Sequence, residues 1–138
     1  MKFAMKFIYS FLLQAVLGYV ITLFFPWWSV VVIAFVIGFS LKTKSWVAFL
    51  AGFTAMSALW AVYATFMDFQ NGAILSEKVA NLFQLAESNY LIYLTGLIGG
   101  LLGGMGSLTG QLFRNTLVKE NKRYGSSRRK RFRHLKED

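Results

Sequence analysis

A glycine-laden apolar run from Tyr90 to Phe113 contains no Asp, Glu, Lys, Arg or His and passes directly into a lysine- and arginine-rich segment, Arg114 to Asp138. At 1.5 Å per residue the run makes a helix about 36 Å long, enough to cross the roughly 30 Å of hydrocarbon in a bilayer. A basic segment at the edge of such a helix belongs on the cytoplasmic side, where positive charge is retained and anionic headgroups lie.

Composition extends this reading to the whole chain. The 138 residues are 56% hydrophobic and only 15% charged, too apolar for a small soluble domain and fitting for a compact bundle of membrane helices. The formal charge of +9 is concentrated at one end: residues 114–138 hold ten Lys/Arg against Glu120, Glu137 and Asp138, a net +7. There is no cysteine, and the single histidine, His134, lies in the basic segment. Disulfides, thiolate chemistry and cysteine metal sites are thereby excluded, and neither a metal nor a cofactor is expected.

Four apolar stretches stand out: about Phe3 to Phe25, Trp27 to Leu41, Trp46 to Met67, and Tyr90 to Phe113. The N-terminus, with Lys2 and Lys6 ahead of the apolar stretch Phe7 to Phe25, resembles a secretory signal. That stretch is longer than a signal-peptide core and lacks a small-residue cleavage site, so it reads as an uncleaved span. The second is short and must cross with little tilt, with Lys42 and Lys44 reaching back to the interface. Pro26 is expected in the first turn of the second helix, where its missing N–H is harmless, with Trp27 and Trp28 as interface anchors.

Every basic segment falls on one side of this pattern, whereas the 68–89 connection carries Asp68, Glu77 and Glu87 against Lys78. The positive-inside rule then places both termini in the cytoplasm. Within the 68–89 connection Leu75, Val79, Leu82, Phe83 and Ala86 share one helical face. Asn71-Gly72 marks a turn before it, and Ser76 is the expected N-cap. The fold expected is an all-α integral membrane protein: four transmembrane helices over 1–113, both termini cytoplasmic, an amphipathic extracytoplasmic helix between spans three and four, and a basic cytoplasmic tail over 114–138.

Small residues in the last span repeat at four: Gly96, Gly100 and Gly104; Gly99, Gly103 and Ser107; Gly106 and Gly110. In lipid the hydrophobic effect does not draw helices together, and small-residue ridges permit the close backbone approach that dispersion needs. These ridges can serve packing within one bundle, homo-oligomerisation, or docking onto a larger partner. The glycines do not form a phosphate-cradling loop, because no strand precedes them and no Lys-Ser/Thr pair follows.

Between Phe7 and Phe25, and throughout the other three stretches, no ionisable group of the kind used for coupled transport occurs. Small multidrug pumps match in size but carry an acidic residue in the first span, where this chain has Gln14. Gln14, Thr54, Ser57, Thr95, Ser107 and Thr109 are neutral polar groups expected to bond a neighbouring helix or their own backbone. No Ser-His, Asp-Asp or metal set for intramembrane hydrolysis is present, so an enzyme is not expected.

The basic segment is expected to be helical to about Tyr124, to turn at Gly125-Ser126-Ser127, and to form a short helix from Arg128 to Leu135. Arg128, Arg129, Lys130, Arg131 and Arg133 are candidates for contact with anionic lipid, a cytosolic partner, or ribosomal RNA, against which Tyr124 or Phe132 could stack. FFPWW after the first span, together with the glycine-packed last span, resembles small uncharacterised four-span inner-membrane proteins of Bacteroidota. The resemblance implies an inner-membrane location and carries no activity.

Three functional expectations follow: an accessory or scaffold subunit of a larger inner-membrane complex, an uncoupled transport protein or channel formed by homo-oligomerisation, and a membrane sensor acting through the outer amphipathic helix.

Overall fold

The computed structural model describes residues 2–85 and 87–137, with side-chain surroundings for 4–85 and 87–120. The described residues form five helices: α1 (Lys2–Phe24), α2 (Ser29–Ser40), α3 (Ser45–Gln70), α4 (Ile74–Leu82) and α5 (Asn89–Glu137). Three of them, α1, α3 and α5, are long and apolar enough to cross a membrane. Their outward faces carry large apolar residues such as Leu12, Val16, Val62, Leu97 and Met105, all exposed. A perimeter of this kind suits lipid and not water.

The second helix is shorter than the sequence implies. Pro26, Trp27 and Trp28 lie ahead of it, because the Ser29 hydroxyl and backbone N–H both bond to the Pro26 carbonyl, at 2.7 and 3.0 Å, and close a turn there. Pro26 is thus not in the first turn of α2, which has 12 residues and is about 18 Å long. At its other end Leu41 and Lys44 are extended, so the chain enters α3 through a non-helical linker. Side chains satisfy that linker: Lys6 Nζ donates to the Lys42 carbonyl at 3.0 Å and Gln111 Nε2 to the Thr43 carbonyl at 2.7 Å. Exposed backbone carbonyls are costly at the edge of an apolar bundle, and both lock the linker to α1 and α5.

These contacts also fix the topology. Residue numbers rise together along α1 and α3, where Gly18 faces Met56 and Leu59 and Thr22 and Leu23 share a cleft with Trp60 and Tyr63, and along α2 and α5, where Gly106 faces Val31 and Gly110 faces Phe35 and Phe39. Along α3 and α5 they run in opposite senses, from Phe49 beside Gly104 to Ala61 beside Gly96. The result is an up-down-up-down bundle. The α3–α5 interface is the largest and α2–α5 the next, while α1 rests on α3 and α2. Lys6, Lys42, Lys44 and the root of the basic segment gather at one end; Asp68, Glu77 and Glu87 lie at the other.

At that acidic end α3 stops at a Schellman motif. Gly72 is left-handed (φ +58), the Ala73 N–H reaches the Asp68 carbonyl and the Gly72 N–H the Phe69 carbonyl. Ser76 is not the N-cap of α4. That helix starts two residues earlier, after left-handed Ala73, and the Ser76 hydroxyl turns back to Asp68 and the Ala73 carbonyl. A second Schellman motif ends α4 at Leu82, with Gln84 left-handed (φ +53) and Leu85 N–H bonded to the Ala80 carbonyl. The expected apolar face is therefore cut short: Phe83 falls beyond the helix, and Ala86 lies outside the described residues.

The last helix departs from expectation in the opposite direction. Its backbone runs unbroken through Gly125-Ser126-Ser127 to Glu137. A single helical Gly costs only about 1 kcal/mol against Ala, and the flanking Lys, Arg, Leu and Glu are good helix formers, so an already nucleated helix propagates through.

Candidate functional site: the small-residue seam and its polar chain

Eight residues of α5 repeat at a spacing of four, and the structure places all of them against other helices of the same chain, Gly106 against the Val31 carbonyl and Ala34 of α2. Gly96, Gly99, Gly100, Gly103 and Gly104 face α3: Gly96 meets Ser57 and Ala61, Gly99 the Trp60 ring, Gly100 Phe53 and Ser57, Gly103 Met56 and the Gly52 carbonyl, and Gly104 Phe49. Ser107 and Gly110 face α2, where Gly38 lies against the Ser107 backbone and Gly110 against the Phe35 carbonyl. Added Cβ atoms at Gly38 and Gly110 would collide with backbone, which cannot move aside as a side chain can. One ridge of α5 thus receives α3 and the neighbouring ridge receives α2, so neither is free for a second protein.

On the facing helices many buried positions are also small, Ala48, Ala51, Gly52 and Ala55 on α3 and Ala34 and Gly38 on α2, beside the larger Val30, Ile37, Val47 and Met56. Among the described residues Val30, Ala34 and Met56, flanked by Leu59, form a side-chain core cluster.

The diagonal of the bundle is polar. Gln14 is fully buried; its Nε2 donates to Ser10 Oγ at 3.1 Å, and its Oε1 accepts from Ser107 Oγ at 2.8 Å. Ser107 Oγ also lies 3.2 Å from the Ala34 carbonyl on α2. One turn further along α5, Gln111 is 2% exposed and holds the Thr43 carbonyl, while its Oε1 has no hydrogen-bond partner among the described residues. This chain ties α1, α2 and the α2–α3 linker to α5.

Of the neutral polar groups noted in the sequence, Gln14 and Ser107 bond across helices, whereas Thr54, Thr95 and Thr109 bond the carbonyls of Leu50, Leu91 and Met105 in their own helices. Ser10 and Gln111 escaped the sequence reading. Their signal was available as two polar pairs at i, i+4, Ser10/Gln14 and Ser107/Gln111, each on one face of an apolar helix.

The two anchors, Trp27 and Trp28, are 64% and 53% exposed at the α1–α2 tip. Trp27 also borders a cleft of about 240 Å³ shared with Tyr19, Leu23, Trp60 and Tyr63. Side-chain surroundings of Arg128, Arg129, Lys130, Arg131 and Arg133 lie outside the described residues.

By its three long apolar helices the chain is a multi-pass helical membrane protein, closed on itself along a small-residue seam. Compared with protein-family models, curated proteins and solved structures, it matches none.

Proposed function

We propose that this protein is a non-enzymatic accessory or scaffold subunit of a larger inner-membrane assembly, crossing the membrane four times with both termini in the cytoplasm. The observation that carries the reading is α5, a single helix that holds α2 and α3 along its glycine ridges and then continues to Glu137. Beyond Phe113 it adds about 36 Å at 1.5 Å per residue, over a segment whose sequence carries a net +7. A stiff basic arm rooted in a membrane bundle suits recruitment of an anionic partner: lipid headgroups, a cytosolic protein, or the RNA of a membrane-bound ribosome.

The fourth crossing is α2, which reaches the lysine end through its extended linker. Orientation rests on the gathering of Lys6, Lys42, Lys44 and the arm at one end of the bundle. Reporter fusions at residues 28, 44, 80 and 138 test it, and an extracytoplasmic signal at 44 or 138 would overturn it. Because the glycine ridges are filled from within, docking in the membrane uses the outward apolar faces, such as Leu97, Leu101 and Met105 on α5.

The decisive experiment is purification of the full chain from native membranes in mild detergent, with co-purifying proteins and RNA identified, beside a chain truncated after Lys119. A partner recovered with the full chain and diminished without the arm is the expected result. Recovery of the chain alone would overturn the proposal, and recovery solely as a homo-oligomer would favour an uncoupled transport protein instead.

A further inference from the structure

At the basic end of the bundle, Lys6 of α1 and Lys42 and Lys44 of the α2–α3 linker surround a cavity of about 300 Å³, completed by Thr43 and Val47. Val47 is 3% exposed and gives the cavity an apolar side. Lys6, Lys42 and Lys44 are all exposed, and the Lys6 ammonium is drawn over the linker by its bond to the Lys42 carbonyl. Three like charges lining one space attract an anion to it. The carboxylates Asp68, Glu77 and Glu87 are at the opposite end, and Glu120 lies more than two turns further along α5 than Gln111, the residue that meets Thr43.

The start of α3 adds to the same field. Lys44 provides no side-chain cap and the first turn of α3 has no acidic residue, so its leading N–H groups present partial positive charge beside the lysines. The same end of the bundle also carries open apolar surface: Met5, next in sequence to Lys6, is 67% exposed, and Trp46, in the first turn of α3, is 69% exposed. A ligand that joins a negative phosphate to hydrocarbon chains matches both halves of this surface.

We propose that the cavity is a specific site for the phosphate of an anionic membrane phospholipid, with Lys6, Lys42 and Lys44 as its charged contacts. Val47 lies beneath the headgroup, and the acyl chains run along the apolar surface at Met5 and Trp46. The site is separate from the arm of α5. It requires only that the protein reside in a membrane, so it stands or falls independently of the partner-docking role.

The test titrates the purified full chain in mild detergent with phosphatidylglycerol or phosphatidylcholine and counts retained lipids by native mass spectrometry. One phosphatidylglycerol should be retained at a saturable site, and phosphatidylcholine should not. Each Lys→Gln change in K6Q/K42Q/K44Q should weaken retention about fivefold, following roughly 1 kcal/mol per basic group near a membrane surface. K6R/K42R/K44R should keep the lipid. Should the triple glutamine variant fail to fold, K44Q, which leaves the Lys6–Lys42 bond in place, carries the same fivefold expectation. Unchanged retention in a folded glutamine variant, or equal retention of phosphatidylcholine, would overturn the site. Displacement by millimolar inorganic phosphate would assign the cavity to soluble phosphate and overturn the lipid.

Discussion

On the α5 side of the α3–α5 seam the residues removed from the surface have almost no side chain, Gly96, Gly99, Gly100, Gly103 and Gly104. Along α4 the large apolar residues Leu75 and Leu82 remain 62% and 81% exposed. A soluble protein would invert this, because water drives large apolar side chains inward. Where lipid surrounds the helices that drive is absent, and burial goes to the positions that let backbones touch and dispersion accumulate. The seam is therefore rigid and specific, whereas α4 touches the bundle lightly, with few contacts to α3 and α5.

The largest effect should come from bulk placed inside the seam. Gly103→Leu drives a side chain into Met56 and the Gly52 carbonyl, and about 3 kcal/mol or more of destabilisation is expected, the upper end for overpacking. Met105→Leu, on the exposed face two residues away, should be nearly neutral. Thermal unfolding in detergent compares them, and crosslinks placed between α3 and α5 report whether the helices part. Equal stability of the two variants would break the contrast between seam and surface.

Next comes the polar diagonal, which pins the seam without contributing to its area. Gln14→Ala removes the acceptor for Ser107 and the partner of Ser10, and about 1–2 kcal/mol is expected from the lost bonds and the space left behind. A double-mutant cycle with Ser107→Ala should return a coupling of about 0.6 kcal/mol and not above roughly 1.7, the range for interhelical hydrogen bonds in membranes. A coupling indistinguishable from zero would mean that the two side chains do not meet.

Gln111 offers a smaller and more local test. Gln111→Met keeps the volume but frees the Thr43 carbonyl, so a cost of about 1 kcal/mol should appear together with faster amide exchange in residues 41–44. A uniform rise in exchange over the whole bundle would show that Gln111 acts on global stability and not on the linker.

How much of this was legible in the sequence depends on what each feature answers to. The glycine ridges were legible as ridges because their period is intrinsic to the helix. What fills them was not, since every helix here is apolar on most sides and only three-dimensional approach selects Trp60 for Gly99 or Phe35 for Gly110. The shortness of α2 was hidden because the bond from Ser29 to Pro26 competes with a proline signal that ordinarily opens a helix. The end of α4 was equally obscure, as its left-handed residue is Gln84, where glycine would have announced it. In the arm, Gly125-Ser126-Ser127 looked like a stop, but local propensity at three residues is outweighed by a helix already running on both sides.

The smallest expected effect is on α4, and it sharpens the comparison most. Leu75 borders a cleft with Val79, Leu91 and Ile92, whereas Leu82 is 81% exposed. Leu82→Ser should therefore shift bundle stability by less than about 0.5 kcal/mol, as for an ordinary surface change, and Leu75→Ser by somewhat more. In vesicles the order should change if α4 rests in the outer headgroup layer. Leu82 would then be buried in lipid, and its loss should raise amide exchange across 74–82 while leaving α3 and α5 untouched. The same measurement in detergent and in vesicles separates the two surroundings. An α4 whose exchange responds to Leu82→Ser equally in both, with α3 responding alongside it, would mean that this helix is packed as firmly as the seam and that the contrast between the two regions is one of side-chain size alone.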